Sequence, residues 1–502
     1  MENFLMLFKG FQVVFTPDNI LACVGGAVLG LMNGAMPGIG SVAGVALLLP
    51  LTYAFNPTTA IILLGVVYFA NMYGGSYAAI LLNIPGDSAA IMTALDGYPM
   101  ATKKGRPGQA LFIANASSFI GGSIGIIILT FFGPALAKVG LRFGPAEMAS
   151  LILMAMTSIA WLLGESPSKG IISTLFGIII ASVGMDALTG ASRYNFGNVY
   201  LLGGIPFIPF VIGSVGFAEI LKVMAMRKTM TKQAVNANLT FRGSLLSRDE
   251  VKRMLPVAAR NGFLGTFIGV LPGAGATTGG FLGYVFQKAF KSKEPLGTGA
   301  VEGIAAVESA NSACAAGSFA PLLALGIPGS ATSAVLLGGL IIWGLTPGPL
   351  LFAKEPDFAW GLIASLYIAN IVTLAVALVC IPFLIRILSV PLKLIIPLVV
   401  AVCFVGSFST TNSMYGVVVM LFSGILGYFM SKYKYPIAPM LLAYVLAPML
   451  EKNMRQAFIG SSGKVSVFFT SPISLGFLII FFALLLYPPI KLIVNKIKAR
   501  PR

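Results

Sequence analysis

The chain has 502 residues, of which 57% are hydrophobic and 10% are charged, and its mean hydropathy is +0.92. A soluble chain of this length would form about three domains, but soluble domains carry roughly 25% charged residues. The composition therefore excludes that class and indicates an all-α polytopic membrane protein. The absence of histidine excludes Ser-His-Asp catalysis and histidine-ligated zinc or haem, and the net charge of +17 is expected in loops.

Residues 1–19 are interpreted as an interfacial or short helix that stays on the protein, because Glu2 and Lys9 disagree with a signal peptide. Apolar segments follow that approach or exceed the ~20 residues needed to cross a bilayer as a helix. A first group is predicted at about 20–54, 57–95, 107–133, 145–163, 168–189 and 203–226. A second group is predicted at about 256–286, 299–345, 358–386, 392–408, 411–430, 434–450 and 472–494.

A basic stretch separates the two groups. It holds only two acids, Asp249 and Glu250, against Arg227, Lys228, Lys232, Arg242, Arg248, Lys252 and Arg253. The positive-inside rule places such a stretch in the cytoplasm, and no nucleic-acid-binding motif accompanies it. The predicted organisation is a membrane repeat at 20–226, a basic cytoplasmic linker at 227–255, a second membrane repeat at 256–494 and a basic cytoplasmic tail at 495–502.

The two halves repeat each other. The stretch GLMNGAMPGIG at 30–40 aligns with GTFIGVLPGAG at 265–275, and GGSYAAILLNIPG at 74–86 resembles AGSFAPLLALGIPG at 316–329. Basic residues occupy the loop at 287–298 in the second half but the following loop, at 103–106, in the first half. Equivalent loops then fall on opposite sides of the membrane, which predicts inverted repeats, an arrangement common in transporters.

The Pro-Gly stretches predict broken helices near the middle of the membrane. Proline ends a helix and glycine permits the tight turn that follows, so each break aims free backbone amides and a positive dipole end at one place, where a carboxylate can bind. For a single Pro-Gly pair, a simple helix kink is the alternative interpretation. The occurrence of Pro-Gly pairs at matching positions in both halves argues against a simple kink. The predicted substrate-binding residues are Pro37, Gly38, Ile39, Gly40, Ser41, Pro272, Gly273, Ala274, Gly275, Ala276 and Thr277.

Polar residues inside the apolar segments predict an ion site. Glu308 and Asn311 are three residues apart and share a helix face, and Asn71 lies in the corresponding segment of the first half. Their oxygens suit Na⁺, or Glu308 carries a proton; interhelical hydrogen bonding is the alternative. Further candidates are Tyr73, Ser76, Asn83, Ser312 and Ser330. No catalytic residue is predicted, and no cofactor or metal beyond Na⁺ or H⁺ as coupling ion.

Two aspartates near the Pro-Gly stretches have structural interpretations of their own. Asp87 directly follows Pro85-Gly86, where a helix cap explains it as well as a functional role does. Asp96 lies beside the basic loop at 103–106, and a surface cap or a salt bridge is expected for it.

Several of these stretches resemble one known family, the large membrane subunit (TctA) of tripartite tricarboxylate transporters. The resemblance covers nearly the whole chain in matching order, with one departure: after Glu-Ser-Ala the family usually has two asparagines, and this chain has Asn311-Ser312, so a second amide is missing at Ser312. The stretches that carry it are PGIGSVAGVALLLPLTY, YGGSYAAILLNIPGD, LDGYPMATKKGRPGQAL, GVLPGAGATTG, EGIAAVESANSA, LGIPGSATSAVLLGGL and GLTPGPLLF.

The resemblance implies a secondary transporter in the bacterial inner membrane that imports organic carboxylates, of the tricarboxylate or dicarboxylate class that includes citrate, by ion-gradient symport. It also implies two partners, a small membrane subunit and a periplasmic solute-binding protein. The absence of a P-loop motif agrees with transport that uses no ATP. Two other functions stay open at this point: a carboxylate channel or uniporter, and an intramembrane enzyme.

Overall fold

The structure, a computed structural model, describes residues 2–36, 40–162, 166–186, 189–225, 242–379 and 392–498. Helices make up nearly all of the regular structure in these ranges, so the prediction of an all-α membrane protein is confirmed. The strands described are one short antiparallel pair, Gly184–Met185 with Ser192–Arg193. The boundaries predicted for the repeats, the linker and the tail stay predictions.

The helices of the first half begin at the N-terminus and include two that stop at the Pro-Gly stretches. They are α1 (Glu2–Val14), α2 (Pro17–Ala35), α3 (Gly40–Leu48), α4 (Pro57–Leu82), α5 (Thr93–Thr102), α6 (Pro107–Gly140), α7 (Pro145–Leu162), α8 (Pro167–Ala181), α9 (Phe207–Val211) and α10 (Ala218–Ala225). A π-helical segment, Ile212–Phe217, joins α9 to α10. Short 3₁₀ segments lie at Leu49–Ala54, Ser88–Ala90 and Val199–Gly203.

The second half repeats this pattern of long and broken helices. After a 3₁₀ turn at Arg242–Ser244 come α11 (Arg248–Val270), α12 (Gly275–Gln287), α13 (Val301–Gly317), α14 (Phe319–Leu325), α15 (Ala331–Ile342), α16 (Leu351–Lys354) and α17 (Pro356–Val379). Five further helices are described beyond residue 391: Leu392–Thr411, Met414–Lys432, Ile437–Gly460, Val467–Thr470 and Pro472–Lys498.

Six helices in the described ranges are long and apolar enough to cross a membrane. They are Pro17–Ala35, Pro57–Leu82, Pro107–Gly140, Phe207–Ala225, Pro356–Val379 and Met414–Lys432. The second of these, α4, differs from the others because almost all of it is buried inside the protein. Helix α4 is therefore surrounded by other helices rather than facing lipid.

Glycines let the broken helices touch α4 and α13 backbone to backbone. A Cβ on Gly34 of α2 would overlap the carbonyl oxygen of Asn71 in α4, and a Cβ on Gly269 of α11 would overlap that of Cys314 in α13. Gly30 and Gly265, one turn earlier, pack in the same way against Val67 and Ala310. The glycines that match between the two halves of the sequence therefore make matching contacts, and they explain why no larger residue fits there.

The contacts of α6 show how the two halves are oriented. Asn115 Nδ2 donates to Tyr77 Oη, and Gly122 further along α6 faces Phe69 earlier in α4, so α6 runs antiparallel to α4. Ser118 of α6 contacts Glu308, and Gly125 faces Ala313 and Ala316, so α6 runs parallel to α13. It follows that α4 and α13, the equivalent helices of the two halves, run in opposite directions. Their orientation across a membrane, and with it the inverted repeat, stays a prediction.

Candidate functional site

After each of the two first predicted breaks, the helix restarts at a glycine. Helix α3 begins at Gly40 and helix α12 at Gly275, and both glycines have φ +65°, a left-handed conformation that favours glycine. Of the predicted tip residues, Pro272, Gly273 and Ala274 form the turn before α12. Pro37, Gly38 and Ile39 lie outside the described residues.

A second pair of breaks, at the later Pro-Gly stretches, lies beside the first. Helix α4 ends at Asn83 with φ 55°, and α14 ends at Gly326 with φ 71°. The chain then folds back, so that a Cβ on Gly86 would overlap the carbonyl oxygen of Gly34. In the other half, a Cβ on Gly329 would lie 2.8 Å from the carbonyl oxygen of Gly269. Each half thus brings its two breaks together through the same pair of glycines.

Hydroxyl groups then join the breaks of one half to those of the other. The Ser41 hydroxyl, in the first turn of α3, lies 2.9 Å from that of Thr332 in the first turn of α15. The Ser88 hydroxyl lies 2.8 Å from that of Thr277 in the first turn of α12. The N-terminal ends of three helices, α3, α12 and α15, therefore converge at one place. The positive ends of these helix dipoles make such a place attractive to an anion.

Tyr68 of α4 also contacts the residues at this meeting point. Its hydroxyl lies 3.1 Å from Ser330 Oγ and 3.3 Å from Ser318 Oγ. Ser330 also caps α15 through a reciprocal capping box with Ser333. The predicted candidate Ser330 is thus both a helix cap and a member of the hydroxyl group cluster. We call the residues Ser41, Tyr68, Ser88, Thr277, Ser330 and Thr332 the tip cluster.

Asp87 is a buried carboxylate at the edge of the tip cluster. Its Oδ2 accepts the amide of Ser41 at 2.6 Å, and its Oδ1 accepts the amide of Ala89 at 3.0 Å and the hydroxyl of Ser88 at 3.3 Å. With the Asn71 side-chain amide oriented to satisfy its neighbours, Asn71 Nδ2 donates to Asp87 Oδ2 at 3.1 Å and Asn71 Oδ1 accepts from the Gly34 amide. Asp87 is therefore more than the cap of its own turn.

Glu308 is fully buried in α13 and is held by two hydroxyl groups. Thr93, at the start of α5, donates to Oε1, and Ser118 of α6 donates to Oε2 at 3.1 Å. No Lys or Arg side chain in the described ranges pairs with it. A buried carboxylate with neutral partners alone costs free energy when it is ionised, so this position suits a proton or a bound cation as its counter-charge.

Asn311 lies one turn beyond Glu308 on the same face of α13. It is fully buried, and neither its Nδ2 nor its Oδ1 has a hydrogen-bond partner among the described residues. The Oγ of Ser312, also fully buried, has none either. Most buried polar side chains are paired, so the unpaired atoms of Asn311 and Ser312 are free to contact a small polar ligand, and their position beside Glu308 sets them apart from other unpaired groups in the described ranges.

The remaining ion-site candidates are distributed differently from the prediction. Asn71 belongs to the Asp87 group, and no hydrogen bond among the described residues joins it to Glu308 or Asn311. Tyr73 Oη donates to Asn370 Oδ1, and Ser76 Oγ donates to the carbonyl of Tyr73 at 2.8 Å. Asn83 is exposed and ends α4. The structure thus separates Asn71 from the pair on α13.

The prediction that Asp96 is a surface cap or a salt-bridge partner is wrong in its location. The side chain is fully buried. Its Oδ1 accepts the backbone amides of Gly297, Gly299 and Ala300 at 2.7–2.9 Å, and its Oδ2 accepts the hydroxyl of Tyr284 at 3.0 Å. Asp96 of the first half therefore caps the start of α13 in the second half, which is the helix that carries Glu308 and Asn311.

An ionic clamp closes the base of the α11–α12 hairpin, outside its apolar part. Lys293 Nζ lies 3.1 Å from Asp249 Oδ2, and this hydrogen bond holds the pKa of Asp249 below its usual range. Arg253 also reaches Glu302 at 3.3 Å. No cluster of three or more Cys, Asp or Glu side chains in the described part of the chain is arranged to hold a metal ion.

Sequence reasoning missed several members of the site. Thr332, Tyr68, Thr93 and Ser118 were not predicted, because each acts through a contact with a residue far away in the sequence. Asp87 carried a signal, its position directly after a repeated Pro-Gly pair, but a cap explained it equally well. Its long-range contact with Ser41 had no signal in the sequence.

The comparisons with known proteins give one family model and two relatives. A family model described as the tripartite tricarboxylate transporter TctA family matches residues 20–442. An Agrobacterium vitis protein described as an uncharacterized 52.8 kDa protein in the TAR-I ttuC' 3' region is 38% identical over 476 residues, which cover 94% of this chain and 93% of that protein. A second A. vitis protein, described as lying in the TAR-II ttuC' 3' region, is 40% identical over 216 residues, which cover 43% of this chain and 89% of its own length. No solved structure matches the chain.

We expect Asp96→Ala to loosen the start of α13, because it leaves three backbone amides without an acceptor, and each buried unpaired group costs about 1–3 kcal/mol. Hydrogen exchange of peptides covering 297–303 should become at least about tenfold faster. The matched control is Asp357→Ala, which removes an exposed aspartate from the first turn of α17. Equal exchange in both variants would show that Asp96 does not hold this segment.

Proposed function

The chain belongs to the tripartite tricarboxylate transporter TctA family, and we propose that it is the large membrane subunit of a symporter that imports organic carboxylates by alternating access. Membership in this transporter family agrees with a transport role in a membrane. That the chain is not an enzyme is part of the proposal. The proposal also covers the substrate site, the coupling ion, the partner subunits and the location of the protein in the bacterial inner membrane.

The observation that carries the proposal is the convergence of helix ends at the tip cluster. Organic di- and tricarboxylates need donors for several oxygens, and in a protein without histidine these come from backbone amides, hydroxyl groups, Asn, Gln or Trp side chains, or cations. The tip cluster offers the first two together, with Thr277 and Thr332 in first turns of helices. We assign the substrate to this place, with Gly40, Ser41 and residues 272–277 around it.

The coupling ion is assigned to the space beside Glu308 and Asn311. A fully buried carboxylate without a cation and a fully buried amide without partners lie one turn apart. Oxygen ligands of this kind bind Na⁺, and Glu308 alone would serve a proton. Asn71 contributes through Asp87 rather than directly.

The way the two halves meet supports alternating access. The hydroxyl pairs Ser41–Thr332 and Ser88–Thr277 cross between the halves, and such pairs are weak enough, at about 1 kcal/mol each, to be broken and remade during transport. The family description as tripartite supports two further subunits. We assign to them the roles of a small membrane subunit and a periplasmic solute-binding protein.

The test of this function is uptake of labelled citrate and other organic carboxylates into proteoliposomes, with Na⁺ and pH gradients imposed separately. Uptake should require one gradient and should be accelerated by the binding protein. Thr332→Val should reduce uptake at least about tenfold, because it removes a hydroxyl group from the tip cluster. Thr373→Val is the matched control: this buried Oγ1 in α17 has no described partner, so uptake should persist.

Uptake that equilibrates without any gradient would favour a channel or uniporter and contradict symport. Equal uptake by the two threonine variants would remove the tip cluster from the substrate site.

A separate variant tests the ion site. Asn311→Ala should raise the concentration of the coupling ion needed for half-maximal uptake about tenfold, which corresponds to losing one ligand worth about 1.4 kcal/mol. The control Ser407→Ala also removes a buried, unpaired polar group, in the helix Leu392–Thr411. An unchanged ion dependence for Asn311→Ala would move the ion elsewhere.

A further inference from the structure

The α11–α12 hairpin changes from apolar to basic along its exposed side. The exposed residues of its apolar part are Leu255, Phe263, Phe267, Leu271, Phe281 and Val285. Lys252 precedes them on α11, and Lys288 and Lys291 follow them just after α12 ends; all three lysines are exposed. In a membrane protein, this pattern places the phenylalanines against acyl chains and the lysines at the level of the lipid headgroups. We call residues 248–260 and 287–293 the hairpin base.

The acidic side chains around the hairpin base already have partners. The ion pairs are Asp249–Lys293, Asp249–Arg253, Glu250–Arg106, Glu294–Lys104 and Glu302–Arg253. Asp96, a buried acid nearby, accepts backbone amides and the Tyr284 hydroxyl. Within the described ranges, Arg260, Lys288 and Lys291 form no ion pair with an acid. The positive charge of these three residues is therefore a surplus that is available to an anion from outside the chain.

Arg260 is held in position by two contacts with the end of α12. Its Nη2 donates to Gln287 Oε1, and its Cζ lies 3.6 Å from the centre of the Phe290 ring. Its Nε is buried and has no partner among the described residues. A guanidinium carries five N–H donors, so this one has more donors than the protein around it has acceptors. An oriented, planar guanidinium of this kind suits the paired oxygens of a phosphate.

The same contacts set the depth of the Arg260 guanidinium. The Arg260 backbone lies about 12 Å further along α11 than that of Lys252, among the exposed apolar residues. Its side chain reaches back to Phe290, which lies between Lys288 and Lys291 in the chain. Long basic side chains often take this course, with the stem on apolar surface and the charge at the headgroup level. Three cations therefore lie together at the edge of an apolar surface.

We propose that the hairpin base binds an anionic phospholipid, with its phosphate among Arg260, Lys288 and Lys291 and its acyl chains along Phe263 and Phe267. A free phosphate would use the same three cations, but the exposed apolar surface beside them favours the lipid. The α11–α12 hairpin also carries residues 272–277, so a lipid at its base anchors a hairpin that borders the proposed substrate site. The lipid site itself does not depend on the proposed transport.

Native mass spectrometry of the purified full chain, delipidated in a neutral detergent, measures lipid binding without transport. The probes are dioleoylphosphatidylglycerol, which is anionic, and dioleoylphosphatidylcholine, which is zwitterionic and has the same acyl chains. The unmodified chain should bind phosphatidylglycerol at least about tenfold more tightly. A large excess of inorganic phosphate, or of glycerophosphoglycerol, which is the same headgroup without acyl chains, should leave the lipid bound.

Two variants make the test specific to the hairpin base. Arg260→Gln and the double variant Lys288→Ala/Lys291→Ala should each weaken phosphatidylglycerol binding about tenfold and leave phosphatidylcholine binding unchanged. The matched control Lys452→Ala/Lys464→Ala removes two exposed lysines elsewhere in the chain, and so the same charge, and should bind like the unmodified chain. Because Lys288 and Lys291 are exposed, the double variant decides the test if Arg260→Gln does not fold.

Equal binding of the two lipids by the unmodified chain would overturn the inference, and so would an equal effect of the double variant and its control. Displacement of the lipid by inorganic phosphate or by glycerophosphoglycerol would show a site for small anions and overturn the assignment to a lipid. Because lipid binding needs no gradient and no substrate, failed carboxylate uptake would reject the proposed function and leave this result unchanged.

Discussion

The constraint on which this structure depends is that a helix broken inside a membrane protein must find partners for its free backbone groups away from lipid. Here Gly34 and Gly269 let α2 and α11 approach α4 and α13 so closely that a Cβ would collide with their carbonyl oxygens, which buries the breaks in protein. Side chains supply hydrogen-bond partners: Asn33 Nδ2 donates to the Gly40 carbonyl and Cys314 Sγ to that of Gly275. The breaks are thus buried in protein and kept in register by the same contacts in both halves.

Burying the breaks in this way also brings them together. Because α4 and α13 run in opposite directions, the second break of each half arrives at the first break of the other. The result is the pair of hydroxyl contacts Ser41–Thr332 and Ser88–Thr277. We propose a carboxylate site at this meeting point and a cation site at Glu308 and Asn311, so that one movement carries both transported species. That shared movement is the physical basis of coupling in our account.

Much of this was readable from the sequence because the repeat preserves backbone requirements. The matching glycines, the prolines beside them and the long apolar segments depend on local geometry, and they located the breaks within a residue of where α3 and α12 begin. Partners across the halves were not readable, since nothing local in Asp96 indicates that it caps a helix some 200 residues later, and it was placed at the surface instead. The role of Asp87 was undecided for the same reason. Asn71 and Glu308 share a polar character, but the fold sends them to separate hydrogen-bond groups.

The most direct test of the central claim is an electron cryomicroscopy structure of the full chain with citrate and Na⁺. The account predicts density for the carboxylate between the first turns of α12 and α15, within hydrogen-bond distance of Thr277, Ser330 or Thr332. Citrate density away from both tips, for example between helices that pack beyond α4, would contradict it.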